Sequence, residues 1–122
     1  MVICWAGDGD LQMNLQELGT AMQANAQPIV LVLNNGMYGT IRMHQERAFP
    51  HRVSGTEIEN PDFVMLAHAY GFHAERVSTT EAFAPAFERA AASASGALLE
   101  LMVPPQMLAP GLSIDDARGE SS

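Results

Sequence analysis

Residues 29–36 read Ile29-Val30-Leu31-Val32-Leu33-Asn34-Asn35-Gly36. Five apolar residues run without interruption and stop on two amides and a glycine. A strand with one wet face alternates apolar and polar residues. An unbroken apolar run marks a strand covered by helices on both sides, as in a parallel sheet. Upstream, Val2-Ile3-Cys4-Trp5-Ala6 has the same character and breaks at Gly7-Asp8-Gly9-Asp10. The first reading is therefore two parallel strands joined by a crossover helix. Asn14 is a suitable N-cap for that helix, with Glu17 three residues on as a capping box requires, and Leu15, Leu18 and Met22 form its apolar stripe.

Downstream, residues 38 to about 48 read as a polar helix and residues 50–55 as a loop. Asn60-Pro61 opens another helix, with proline at its first position and Phe63, Leu66, Ala67 and Tyr70 on the buried side. Gly71 closes it. A short strand over 74–77, a Ser/Thr cap, a helix from about 81 to 94 and a last strand over 97–103 follow, with Phe83 and Phe87 on the inner face of that helix. The Ala90 to Ala97 stretch reads as a close-packing face against another domain. Strands alternating with helices predict an α/β fold, a doubly wound parallel sheet occupying residues 1–103. Residues 104–122, rich in proline, glycine, serine and acids, are expected to form an extended acidic tail. The first strand reads as buried and central, with Cys4 a small buried hydrophobe. A central strand with nothing upstream to flank it predicts part of a larger fold, and predicts pairing or aggregation of a chain made alone.

The chain has 122 residues, 48% hydrophobic and 16% charged, a globular composition of single-domain size. No apolar run approaches the ~20 residues of a membrane span, and no secretory leader pattern opens the sequence. Six basic against 14 acidic residues give a net charge of −8, which argues against a nucleic-acid surface. All six basic residues are arginine. A phosphate-binding lysine and a Schiff-base lysine are thereby excluded. A single cysteine excludes an internal disulfide and a cysteine-based zinc site, and fits a reducing cytoplasm.

In an open parallel sheet, ligands bind outside the carboxyl ends of the strands. Gly7-Asp8-Gly9-Asp10 and Asn34-Asn35-Gly36 both fall there, and if their strands are neighbours Asp8 and Asn35 meet at one rim. A carboxylate, an amide oxygen and a backbone carbonyl are hard donors suited to Mg²⁺, which shares its octahedron with phosphate oxygens. Gly7 and Gly9 would let backbone approach a ligand closely. Amides of Gly9 and Asp10 would donate to a diphosphate. A calcium loop is a poor rival, because Gln12 and Met13 stand where such a loop needs an acid or amide and then glycine. A Rossmann-type nucleotide module lacks its third glycine, Gln12 standing in that place.

The stretch Gly7-Asp8-Gly9-Asp10-Leu11-Gln12-Met13-Asn14-Leu15-Gln16-Glu17-Leu18, followed by Asn34-Asn35-Gly36-Met37-Tyr38-Gly39-Thr40-Ile41-Arg42, resembles the cofactor signature of thiamine diphosphate enzymes, particularly the acetolactate synthase and 2-keto-acid decarboxylase group. The similarity extends over about 100 residues. It implies thiamine diphosphate and Mg²⁺ as cofactors, with Asp8, Asn35 and the Met37 carbonyl as metal ligands. It further implies that Gly7, Gly9, Asp10, Gly36, Tyr38 and Ile41 lie beside the cofactor. It implies a 2-keto acid substrate, decarboxylated or passed as an acyl unit to a carbonyl acceptor. The activating glutamate would come from a pyrimidine-binding domain or subunit, in a homo-oligomer, so no catalytic residue is assigned here. On this reading the chain is the C-terminal part of the cofactor-binding domain and is inactive alone; the competing reading is a non-catalytic remnant of such an enzyme. Three positions depart from the pattern. Asp10 replaces a small residue, Ile41 stands where some decarboxylases carry an acid, and His44 where acetolactate synthases carry tryptophan. His44 reads as a helix-surface or pocket-wall residue, and Arg42 and Arg47 as groups that either meet an anionic substrate or pair with Glu46 at the surface.

Overall fold

The computed structural model describes residues 1–120. Four parallel strands form one sheet: β1 (Ile3–Gly7), β2 (Ile29–Asn34), β3 (His73–Val77) and β4 (Ala97–Met102), in the order β1-β2-β4-β3. Helices α1 (Asp8–Asn14), α2 (Glu17–Gln23) and α4 (Phe63–Ala69) cover one face, and α5 (Thr80–Ala92) the other. The architecture is the doubly wound α/β sheet that the apolar runs predict.

The continuous run of β2 serves two cores at once. Val30 and Val32 pack with Leu11, Leu18, Phe63, Ala67 and Leu98 on one side. Ile29 and Leu31 pack with Val77, Ala86, Ala90 and Leu99 on the other. Each fully buried leucine or phenylalanine side chain contributes roughly 1.5–3 kcal/mol. Phe83 and Phe87, rings 5.8 Å apart, close the second layer. Of the alanine-rich stretch, Ala90 and Ala97 belong to this internal core, while Ala91, Ala92 and Ala94 are exposed.

At the opposite end of the strands, β4 must pass beneath the Phe72 ring, and Gly96 provides the room. A Cβ there would lie 1.9 Å from Phe72 Cε1, and Phe72 is itself only 3% exposed and held in the first core. Gly96→Ala is accordingly expected to lower stability by about 1–3 kcal/mol, the cost of overpacking a filled core. A chemical-denaturation midpoint equal to that of the parent would contradict this.

Four expectations are corrected. First, β1 and Cys4 do not show the burial read for them: β1 is paired only with β2 among the described residues, the unflanked position already expected of this strand. Its apolar side chains stand exposed, Val2 and Trp5 at 67% and Ile3 at 50%, and Cys4 is exposed too. An all-apolar strand has the same sequence at an edge as in the middle; only the pairing order distinguishes them. Second, the crossover helix does not wait for Asn14. It begins at Asp8, directly after β1, ends at Asn14 and resumes as α2 at Glu17. Gly7-Asp8-Gly9-Asp10 is therefore a helix start and not a turn, with Asp8 and Asp10 in the first turn, where carboxylates favour the positive end of the dipole. Of the stripe, Leu18 is buried, Leu15 half-buried and Met22 exposed. Third, Asp62 and not Asn60 caps α4, accepting from Met65 N at 2.9 Å, which leaves Pro61 outside the helix.

Fourth, the tail folds. β5 (Met107–Ala109) and β6 (Leu112–Ser113) form a hairpin, and α6 (Ile114–Arg118) packs on α3 (Gly39–Ala48). Ser113 and Asp116 build a reciprocal cap, with Ser113 Oγ accepting from Asp116 N at 3.1 Å and Asp116 Oδ2 accepting from Ser113 N at 2.7 Å. Ile114 and Ala117 are buried. Arg118 reaches the fully buried Glu46 of α3, with Nε and Nη2 donating at 2.9 and 2.8 Å. Residues 121 and 122 of the expected tail lie outside the described residues. Among the described residues no helix is long and apolar enough to cross a membrane.

Candidate functional site

The carboxyl ends of β1 and β2 open onto a cavity of about 610 Å³. Parallel pairing in register (Gly7 opposite Leu33) brings the helix start after β1 beside the loop after β2. Gly36 N donates to Asp8 Oδ2 at 2.9 Å, so the two loops are in direct contact. Gly36 adopts a left-handed φ of 68°, which a glycine takes without Cβ strain. The Asn35 side chain turns back on its own loop, with Oδ1 accepting from Met37 N at 3.1 Å.

A second segment clamps this loop from outside. Tyr38 N donates to Thr56 O at 2.8 Å, and Ile58 N donates to Gly36 O at 2.9 Å. These two bonds flank Met37 opposite Glu57 and leave the Met37 carbonyl without a hydrogen bond among the described residues. The clamp continues into Asn60, whose Nδ2 donates to Asp8 Oδ2 at 2.7 Å and to Asn34 Oδ1 at 2.9 Å. Asp8, only 2% exposed, thus has both acceptor directions of Oδ2 occupied, while Oδ1 has no partner among the described residues.

Of the expected site residues, Gly7, Asp8, Gly9, Asp10, Asn35, Met37, Tyr38 and Ile41 all line the cavity. Gly36 does not; its part is the bond to Asp8. Gly9 also has a different reason for lacking a Cβ. A Cβ there would stand 2.5 Å from Tyr38 Cε1 and 3.0 Å from Ile58 Cδ1, so the glycine admits the Tyr38 ring and the clamp. Asp10, an awkward neighbour for a phosphate, turns back along the helix, where Oδ2 accepts from Gly7 N at 3.3 Å. His44 is exposed and outside the cavity lining. Arg42 is half-buried, pairs with Glu46 at 3.4 Å and is not among the residues lining the cavity.

Sequence reading missed several participants. Asn60 looks like a helix start, and its contact with Asp8 spans 52 positions, a separation that leaves no local trace. Glu100 is different. A lone acid within Ala97-Leu98-Leu99-Glu100-Leu101 signals a buried charge that needs partners, and it has them in Asn34 and Arg76. Leu108, from the tail hairpin, forms part of the cavity wall along with Trp5 and Met13. No cationic side chain lines the cavity among the described residues, whereas two carboxylates do. No cluster of three or more histidine, cysteine or acidic side chains suited to a metal is present among the described residues. Any cation here would draw on one carboxylate with amide and carbonyl oxygens.

Comparison with known proteins places the chain in a family. Residues 1–101 match the family described as thiamine pyrophosphate enzyme, C-terminal TPP binding domain. The acetolactate synthase of Arthrospira platensis is 34% identical over 128 residues, covering 99% of this chain and 22% of that protein. The acetolactate synthase isozyme 2 large subunit of Escherichia coli (strain K12) is 40% identical over 78 residues, covering 63% of this chain and 14% of that subunit. The thiamine diphosphate-dependent 4-hydroxybenzoylformate decarboxylase of Rhodococcus jostii RHA1 superposes with a TM-score of 0.78 at 32% identity, over 85% of this chain and 20% of its own. Benzoylformate decarboxylase from Polynucleobacter necessarius, at 24% identity and a TM-score of 0.79 over 87% of this chain and 20% of its own, shares the fold. The chain thus spans about a fifth of the length of the first of these relatives. With its sheet, its paired loops and the match over residues 1–101 in agreement, the chain belongs to the thiamine pyrophosphate enzymes, as their C-terminal TPP-binding domain.

Proposed function

We propose that the chain binds thiamine diphosphate through Mg²⁺ as the diphosphate-binding part of an acetolactate synthase-like enzyme. The observation that carries this reading is a cavity with two carboxylates and no cationic side chain, at whose rim Asp8 Oδ1 and the Met37 carbonyl are left without partners among the described residues. A diphosphate entering such a cavity is repelled unless a divalent cation comes with it. The donor set fits Mg²⁺: Asp8 supplies a carboxylate oxygen, Asn35 an amide oxygen and Met37 a backbone carbonyl. The remaining positions would go to diphosphate oxygens and water.

The other residues act by placement. The N–H groups of Gly9 and Asp10, in the first turn of α1, would donate to phosphate oxygens. Tyr38 and Ile41 wall the cavity beside them. Ile41 brings no proton, so proton donation to product would not come from this position. When bound, thiamine diphosphate supplies the carbanion chemistry that releases carbon dioxide from a 2-keto acid and passes on the acyl unit. The resemblance puts the activating glutamate on a pyrimidine-binding domain or subunit, so turnover requires that partner, within a homo-oligomer. With an unpaired Cys4, a reducing cytoplasm suits the chain.

Calorimetric titration tests the proposal. Thiamine diphosphate is expected to bind measurably with Mg²⁺ and not with a chelator present, and NAD is expected not to bind. Equal binding with and without the metal, or a preference for NAD, would overturn it.

A further inference from the structure

Three strands, β3, β4 and β2, each carry a polar group near the carboxyl end, and these join in sheet order and continue through Asn60 to Asp8, the residue that follows β1. Arg76 on β3 lies opposite Glu100 on β4, and its Nε donates to Glu100 Oε2 at 2.7 Å. Glu100, 1% exposed, accepts from Asn34 Nδ2 at 2.7 Å through Oε1. Asn34, at the end of β2, accepts through Oδ1 from Asn60 Nδ2 at 2.9 Å and from Gly36 N at 3.1 Å. Asn60 then donates to Asp8 Oδ2 at 2.7 Å, while its own Oδ1 accepts from Gln12 Nε2 at 2.7 Å.

The polarity of this chain of bonds is held at both ends by carboxylates, Glu100 and Asp8, and in the middle by Gly36 N, which donates to Asn34 Oδ1. A side-chain amide can present its oxygen or its NH₂ in either direction, but an ionised carboxylate only accepts. Glu100, paired with the Arg76 guanidinium, presents an acceptor to Asn34, which points its NH₂ inward and its oxygen outward to Gly36 N. That oxygen and Asp8 Oδ2 together hold the Asn60 NH₂ between them. With Gly36 N as second donor, Asp8 Oδ2 is consumed, and Oδ1 is the oxygen left over. A leucine at position 100 would fill the strand without burying a charge, so packing alone gives no reason for the acid.

We propose that Glu100, Asn34 and Asn60 are positioning residues for the cation site, the buried carboxylate orienting both amides so that Asp8 offers a single oxygen to the metal. The proposal rests on the reading that Asp8 holds Mg²⁺, and its test separates the two. Gly36 and Asn60 report the relay without cofactor, through the Gly36 backbone amide and the Asn60 side-chain NH₂ in ¹H–¹⁵N spectra of the cofactor-free chain. In Glu100→Gln the inner anchor of that polarity is lost, because the introduced amide can turn either its oxygen or its NH₂ toward Asn34. Both signals are expected to shift although neither residue touches position 100, and the Mg²⁺-dependent affinity for thiamine diphosphate is expected to fall at least about tenfold, the usual cost of losing an outer partner. Arg76→Gln alters the half-exposed outer end, leaves the core untouched and is expected to move the same two signals in the same direction by less. Should Glu100→Gln fail to fold, Arg76→Gln carries the comparison. Unmoved signals in the folded variant, or moved signals with unchanged affinity, would overturn the relay. Absence of Mg²⁺-dependent binding in the parent would instead overturn the metal reading, and the spectra would still decide whether the amides are ordered from Glu100.

Discussion

Substituting Asp8 with asparagine is expected to abolish the Mg²⁺-dependent binding of thiamine diphosphate while leaving the fold intact. The change is isosteric, so the effect comes from charge and polarity alone. In one orientation, the oxygen of the introduced amide keeps both bonds now made to Asp8 Oδ2, from Gly36 N at 2.9 Å and Asn60 Nδ2 at 2.7 Å. The NH₂ then replaces Oδ1 and points a donor at the cation. In the other orientation, the NH₂ faces two N–H donors at a site 2% exposed, leaving buried groups unsatisfied at about 1–3 kcal/mol each. Neither gives the metal an anionic oxygen. The loss is expected to exceed ~100-fold, more than that of an outer partner. Calorimetry reads the affinity and thermal melting the fold; an Asp8→Asn variant that bound the cofactor with the parent's affinity and metal dependence would remove Asp8 from the ligand set.

The second large effect concerns the tail. Glu46 is fully buried and takes two donors from Arg118 and one from the His51 backbone, with Arg42 at 3.4 Å. The Arg118 hydrogen bonds are the main reason its carboxyl titrates at about 2 and not 4.5, with burial opposing. Because the folded value is depressed, the contribution is complete above about pH 4.5 and is lost as pH falls toward 2. Two and a half pH units correspond to about 3 kcal/mol. Arg118→Ala leaves a buried carboxylate with only Arg42 for charge, and is expected to cost about 3 kcal/mol at neutral pH, the lower end for a broken buried pair. Urea denaturation from pH 7 to pH 2 should show the parent losing stability below about pH 4.5 and the variant doing so much less. The residual slope belongs to Glu75, which Arg89 holds down to about 2 as well. A variant with the parent's stability and pH profile would contradict the assignment. Since Leu108 of the same folded tail walls the cavity, Arg118→Ala is expected to loosen that wall too.

What the sequence disclosed and what it withheld divide along physical lines. The unbroken apolar run of β2 identified a sheet covered on both faces, and the two polar breaks identified the rim whose cavity Asp8 and Asn35 both line. Local chemistry was enough for these. The pairing order β1-β2-β4-β3 was not legible, because it is a property of the whole sheet. The start of α1 was obscured by two glycines, poor helix formers, although Asp8 and Asp10 are good first-turn residues. The tail was misjudged from its composition, yet Ser113 followed three positions later by Asp116 was a readable helix start ahead of Ile114 and Ala117. Asn60 left no sequence signal; its importance arises only when the clamp closes over Gly36.

Trp5 is the only tryptophan in the chain, stands 67% exposed on an edge strand and lines the cavity together with Asp8 and Tyr38. Its indole therefore serves as a built-in optical probe at the mouth of the site. Emission from this single fluorophore, excited selectively, reports on whatever enters or shields the cavity, with no label attached and no background from a second indole.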